Sequence, residues 1–170
     1  MLPLFLGLTL ANLASLLTTI ALGYVSVGGR ASVHGWHMLA GALAAILCVA
    51  VHCIVFTYFL ATAKWIEHAV MVKGLDASYV TPVKSFRMLA FPAALGAMAV
   101  TFVAAILGAG VDTRVLSVNW HHAMALLAVA ANIGAAAIEY VAIGRNGRLI
   151  DQILAEFPPE ETPIGRGNDQ

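Results

Sequence analysis

Charged side chains are scarce in this chain, at 11% of its 170 residues against 61% that are hydrophobic, where an ordinary soluble domain is about 25% charged. A fold surrounded by water has no way to hide so much apolar surface. Lys and Arg together number nine and so do Asp and Glu, so there is no basic stripe for nucleic acid. There is no Gly-rich phosphate loop, no internal repeat of the solenoid kind and no evident inverted repeat. Only two cysteines occur, Cys48 and Cys53. Five residues apart on one helix they are rotated by about 140°, which argues against a bond between them. Neither belongs to a zinc-type Cys-x-x-Cys, and both read as small apolar helix residues.

Long apolar runs are what the sequence does have. A helix needs roughly 20 mostly apolar residues to cross a hydrocarbon core about 30 Å thick. Four stretches qualify, at about residues 3–27, 34–63, 85–110 and 118–143. They are rich in Ala and Leu and do not alternate, which excludes a closed barrel and leaves helices. The expected fold is all-α: a polytopic membrane protein built as a bundle of four transmembrane helices. Residues 1–150 form that domain and 151–170 a polar cytoplasmic tail. The first segment has no positive n-region and a long apolar stretch, so it reads as a retained helix rather than a signal peptide. The second pattern continues to Val72, and His34 to Val72 would extend over about 57 Å, well past the hydrocarbon. Thr81-Pro82 is expected to break helix before the third span, and Phe91-Pro92 to kink it.

Seven of the nine basic residues, Lys64, Lys73, Lys84, Arg87, Arg145, Arg148 and Arg166, lie in or beside the second connection and in the tail, against Arg30 and Arg114 in the other two connections. The positive-inside rule then puts both termini and the 64–84 connection in the cytoplasm. The expected location is integral to a membrane, the bacterial inner (plasma) membrane. Trp36, Trp65 and Trp120 fall at the ends of spans, as an aromatic belt requires.

Five of the six histidines, His34, His37, His52, His121 and His122, lie in the second and fourth spans. Ionisable residues in spans are costly and usually face the bundle interior, so each is a functional candidate. His34, His37, His121 and His122 lie near the start of helices that enter from one side, and so share a depth. His52 comes 18 residues after His34, and Glu139 comes 18 after His121; five turns return each to its starting face. Between them run Gly41, Ala45 and Cys48 on one helix and Ala125, Ala128, Asn132 and Ala135 on the other. Such small residues either let backbones pack closely or leave room beside an imidazole for a flat macrocycle. His52 and Glu139 come to nearly one depth, where they would share a proton or approach a quinone headgroup. Glu67 and His68, beyond the membrane, read as a solvated face. Asp112 and Arg114 would pair locally.

With His37 and His52 on the second helix and His121 or His122 on the fourth, the chain resembles b-type cytochromes built as four-helix membrane bundles, including the cytochrome b core of quinol-oxidising complexes. In that family two haems lie between the second and fourth helices. The family pattern has a further histidine on the fourth helix about 14 residues after the first, where this sequence has Ala135 and Ala136. The resemblance therefore implies one haem b near the outer face, with His37 and either His121 or His122 as ligands, and hence a membrane electron-transfer protein.

Two other readings fit the same residues. His34-x-x-His37 with His121-His122 would give a four-nitrogen copper or zinc site, since imidazole suits both metals. Alternatively, the chain is a structural or assembly subunit of a larger membrane complex, its histidines used for hydrogen bonds. Expected partners are the bilayer, a quinone or a larger membrane complex, and further copies of the chain; nucleic acid is not among them.

Overall fold

The computed structural model describes residues 1–26 and 31–157. Its elements are α1 (Leu2–Ser26), α2 (Ala31–Lys73), a single 3-10 turn (Ala77–Tyr79), α3 (Thr81–Asp112) and α4 (Val118–Ala155). The described residues are all-helical, and all four helices are long and apolar enough to cross a membrane. The α2 helix continues past residue 63 as its pattern demands, and its 43 residues make a rod of about 64 Å. Helix α4 likewise runs on to Ala155, so the boundary expected at residue 151 falls inside a helix. Gly28, Gly29 and Arg30 of the first connection, the Pro158-Pro159 stretch and Arg166 lie outside the described residues.

Local chemistry sets the helix ends. Gly74 adopts φ +65 after α2, and the amide of Leu75 donates to the carbonyl of Val70 at 3.1 Å. A residue without Cβ takes this left-handed turn freely and lets the last carbonyls be satisfied. Asp76 caps the 3-10 turn by accepting from the Ser78 amide at 2.7 Å. Pro82 then sits in the first turn of α3, where its missing donor costs nothing; Thr81-Pro82 thus starts the helix. Helix α3 continues unbroken through Pro92, although proline leaves the carbonyl one turn earlier without its usual partner. After α3 the chain turns back through Arg114 at φ 60. A Cβ on Gly110 would lie 2.6 Å from Leu116 Cδ1, so glycine leaves room for Leu116 to fold onto the helix end in this rotamer. Ser117 caps α4.

Helix α1 packs on α2 and α3 on α4, while the two hairpins join along α2 with α3 and α1 with α4. Helices α2 and α4 therefore lie on a diagonal. Much of the interior is alanine, including Ala44, Ala90, Ala94, Ala97, Ala128 and Ala135. Lipid tails are as apolar as leucine, so membrane helices gain by close backbone approach, which small residues permit. A larger-residue layer of Phe5, Val55, Phe59, Ala142 and Ile143 crosses the bundle below the middle. A second cluster, Ala63, Ile66, Ala69, Val83, Leu149 and Ile153, binds the extended ends of α2 and α4 to α3.

The two hairpins repeat one another in their packing. Positions separated by 84 residues meet in the interior of α2 and α4, as Cys48 with Asn132 and Thr62 with Asn146 do. The same offset pairs buried Ala44 with Ala128, Val51 with Ala135, Phe59 with Ile143, and exposed Trp36 with Trp120. One residue more relates α1 to α3, matching Phe5 with Ala90, Asn12 with Ala97 and Leu16 with Thr101, all buried.

Candidate functional site

His37 and His121 are equivalent positions of the two hairpins, and both are held in the same way. His37 Nδ1 bonds the carbonyl oxygen of Thr19 at 2.9 Å, and His121 Nδ1 bonds that of Ala104 at 3.0 Å. The reason lies on the partner helices. In a helix the side chain four residues after a carbonyl leans back over it. Here those positions are Gly23 and Gly108, and the carbonyls stand uncovered. A Cβ on Gly23 would lie 3.0 Å from His37 Cε1, and one on Gly108 would lie 3.1 Å from His121 Cε1.

These bonds decide the chemistry of both rings. A carbonyl only accepts, so each Nδ1 carries the hydrogen, and a neutral ring then keeps its lone pair on Nε2. A metal-ligating histidine is normally oriented this way, its other nitrogen tied to a carbonyl or carboxylate. The two ring centroids are 6.0 Å apart with their planes at 74°. Two imidazoles holding one metal ion through facing nitrogens, each about 2 Å from it, have centroids about 6 Å apart. The separation of the two rings thus fits a group that His37 and His121 would hold between them.

Both histidines line a cavity of about 490 Å³ at the Trp36 and Trp120 end of the bundle, walled largely by Gly41, Ala42, Ala105, Gly108 and Ala125. That volume lies in the range of small-molecule and cofactor sites. Its floor is formed by Leu16, Ala44, Thr101 and Ala128.

The remaining histidines do other things. His34 lines the same cavity, but its Nε2 lies 3.3 Å from Asp112 Oδ1. The local pairing expected of Asp112 with Arg114 is therefore replaced by a contact between α2 and α3. His122 lies against Tyr24, with ring centroids 5.2 Å apart, and its ring centroid is 6.3 Å from that of His121. Among the described residues no three His, Cys, Asp or Glu side chains group to hold a metal ion, so the four outer histidines do not converge as one four-nitrogen set. His68 is exposed on the extension of α2. Both cysteines are free.

His52 and Glu139 do meet. His52 Nδ1 lies 2.8 Å from Glu139 Oε1, with residue exposures of 2% and 0%. Two polar groups flank them along the bundle. Toward the cavity, Asn12 Nδ2 donates to Asn132 Oδ1 at 2.9 Å, and Asn132 Nδ2 donates to Thr101 Oγ1 at 3.0 Å. Cys48 Sγ lies 3.4 Å from Asn132 Oδ1 and 3.6 Å from Thr101 Oγ1. Toward the other end, Asn146 Nδ2 donates to Tyr58 Oη and Thr62 Oγ1, both at 3.0 Å.

No family model, curated protein or solved structure matches this chain. Sequence reasoning singled out the histidines and missed Thr19, Gly23, Gly108 and Asn12. The available signal was weak: one glycine near the end of α1 and one near the end of α3, at equivalent distances before His37 and His121.

Proposed function

We propose that this chain is a membrane electron-transfer protein that holds one haem b between α2 and α4, where His37 and His121 would bind its iron. The observation that carries this reading is the duplicated anchoring of those two imidazoles. Each is bound to a backbone carbonyl through Nδ1, each faces a glycine, and the two lie across the diagonal of the bundle. A structural histidine needs only one satisfied nitrogen; two equivalent ones that line one cavity and are each bound through Nδ1 alone support reading them as a ligand pair.

When bound, the haem would supply one-electron redox chemistry at its iron. The chain's contribution is to orient the two rings, keep their Nε2 atoms unprotonated by fixing the proton on Nδ1, and enclose the group in apolar wall. The basic residues of the 64–84 segment and of the end of α4 favour an orientation with both termini in the cytoplasm and the cavity near the outer face.

The test is the absorption spectrum of the purified protein, oxidised and reduced. The reading expects a Soret band and sharp bands on reduction, with one haem per chain. A colourless protein with a stoichiometric transition metal on elemental analysis would move the site to the copper or zinc reading. A colourless, metal-free protein would leave a structural subunit of a larger membrane complex.

A further inference from the structure

We propose that His52 and Glu139 form a proton-exchange site that communicates with the histidine-lined cavity through Cys48, Thr101 and Asn132 and is sealed from the opposite end of the bundle. This goes beyond the haem reading and does not depend on it.

Burial of the pair is nearly complete, yet each member keeps a polar atom with no partner among the described residues: His52 Nε2 and Glu139 Oε2. A buried polar atom without a partner costs roughly 1–3 kcal/mol. In a membrane interior such a cost marks a functional position. The pair also breaks the repeat of the two hairpins. The position equivalent to His52 is Ala136 and that equivalent to Glu139 is Val55. Packing alone asks for neither residue, since the equivalent sites are filled by apolar side chains.

The surroundings give the pair a direction. Thr101 forms part of the cavity floor, and Cys48 lies 3.6 Å from its hydroxyl. Cys48 is one helical turn before His52 on α2, and so lies on the same helix face. A hydroxyl, a thiol and an imidazole thus follow one another inward from the cavity, each able to donate and to accept a proton, with Asn132 orienting the first two. On the other side, Phe5, Val55, Phe59, Ala142 and Ile143 form a layer no more than 2% exposed. It separates the pair from Tyr58, Thr62 and Asn146 and carries no polar side chain. No other charge competes: α1 has no charged residue, α3 has none between Arg87 and Asp112, and Glu139 is the only one on α4 before Arg145.

The exchange is a simple proton transfer. An O–H bond of hydronium in the cavity breaks as an N–H or O–H bond forms at the pair, and release reverses both changes. No electron moves.

The experiment uses the whole protein in a supported bilayer, with the pH of each compartment stepped separately while the carboxylic-acid infrared band is followed. Loss of the band in Glu139→Gln assigns it. The band is expected to follow the compartment on the Trp36 and Trp120 side and to ignore the other. Cys48→Ala and Thr101→Val, both small changes in volume, are expected to slow the response at least tenfold without changing its amplitude. A band that follows the opposite compartment, follows both equally fast, or responds to neither would overturn the proposal. So would unchanged rates in both variants.

Discussion

His37 and His121 face each other across the bundle diagonal with ring centroids 6.0 Å apart, and each is tied to its neighbouring hairpin helix by the same ring nitrogen. Neither ring is free to choose its tautomer. Both rings are thus oriented by the protein itself, which would lower the ordering cost of binding the proposed haem.

Loss of either imidazole should empty the site. His37→Ala and His121→Ala are each expected to remove most of the proposed haem, read as the ratio of Soret to protein absorbance, while His68→Ala leaves it unchanged. His122→Ala should have a smaller effect than His121→Ala, because His122 rests on Tyr24 rather than on a backbone carbonyl. Equal retention of haem in both single ligand variants would remove the pair from consideration.

The glycines opposite the rings should matter as much as a supporting hydrogen bond does. Gly23→Val and Gly108→Val place atoms against His37 and His121 and cover the carbonyls of Thr19 and Ala104. Changes to groups that orient a ligating histidine typically weaken metal binding by about 10–100-fold. A titration of the cofactor-stripped variants with haem should show a loss of that size in each. Wild-type affinity in both would mean that the carbonyl bonds do not set the ligands.

The hydrogen bond between Asn12 and Asn132 joins α1 to α4. A double-mutant cycle with Asn12→Ala and Asn132→Ala, measured by unfolding in bicelles, is expected to give a coupling of about 0.6 kcal/mol, the average for polar contacts between membrane helices. A coupling indistinguishable from zero would mean that the bond does not join the hairpins.

Single cysteines introduced at Thr113 and Ala77, in a background without Cys48 and Cys53, test the proposed orientation. Label should reach position 113 in intact cells and position 77 only after the membrane is opened. The reverse pattern would place the cavity on the cytoplasmic side.

Asp76 offers a pH-dependent contact outside the spans. Hydrogen bonds from the Ser78 backbone, and then from its side chain, hold the Asp76 carboxyl below its usual range. A depressed carboxyl contributes stability that is present above its unfolded pKa of about 3.9 and is lost as pH falls through the lower folded value. The Ser78 amide signal should therefore titrate in acid, at a pH below that of an exposed aspartate, and Asp76→Ala should abolish the transition. A transition that persists in the variant would belong to another group.

The pattern of apolar runs determined four long helices, and even the extension of α2 past residue 63. Period and composition were sufficient there because in a bilayer the backbone must satisfy itself, which leaves a run of apolar residues one regular structure. The level of the inner pair was legible for a similar reason. Residues on two helices that start at one surface descend at a common rise, and counting brings His52 and Glu139 to one depth. What counting does not supply is rotation across helices. It treats His121 and His122 alike, whereas the fold turns His121 to the Ala104 carbonyl and His122 to Tyr24, and gives Asp112 to His34 rather than to Arg114. The likeness of the two hairpins shows in the letters only at Trp36-His37 with Trp120-His121 and at Gly23 with Gly108; elsewhere equivalent positions hold Asn12 and Ala97, or Cys48 and Asn132. Such pairs share a place in the packing rather than a chemistry. The packing of α1 on α2 and of α3 on α4 brings Gly23 under His37 and Gly108 under His121, and the docking of one hairpin against the other then brings the two rings together.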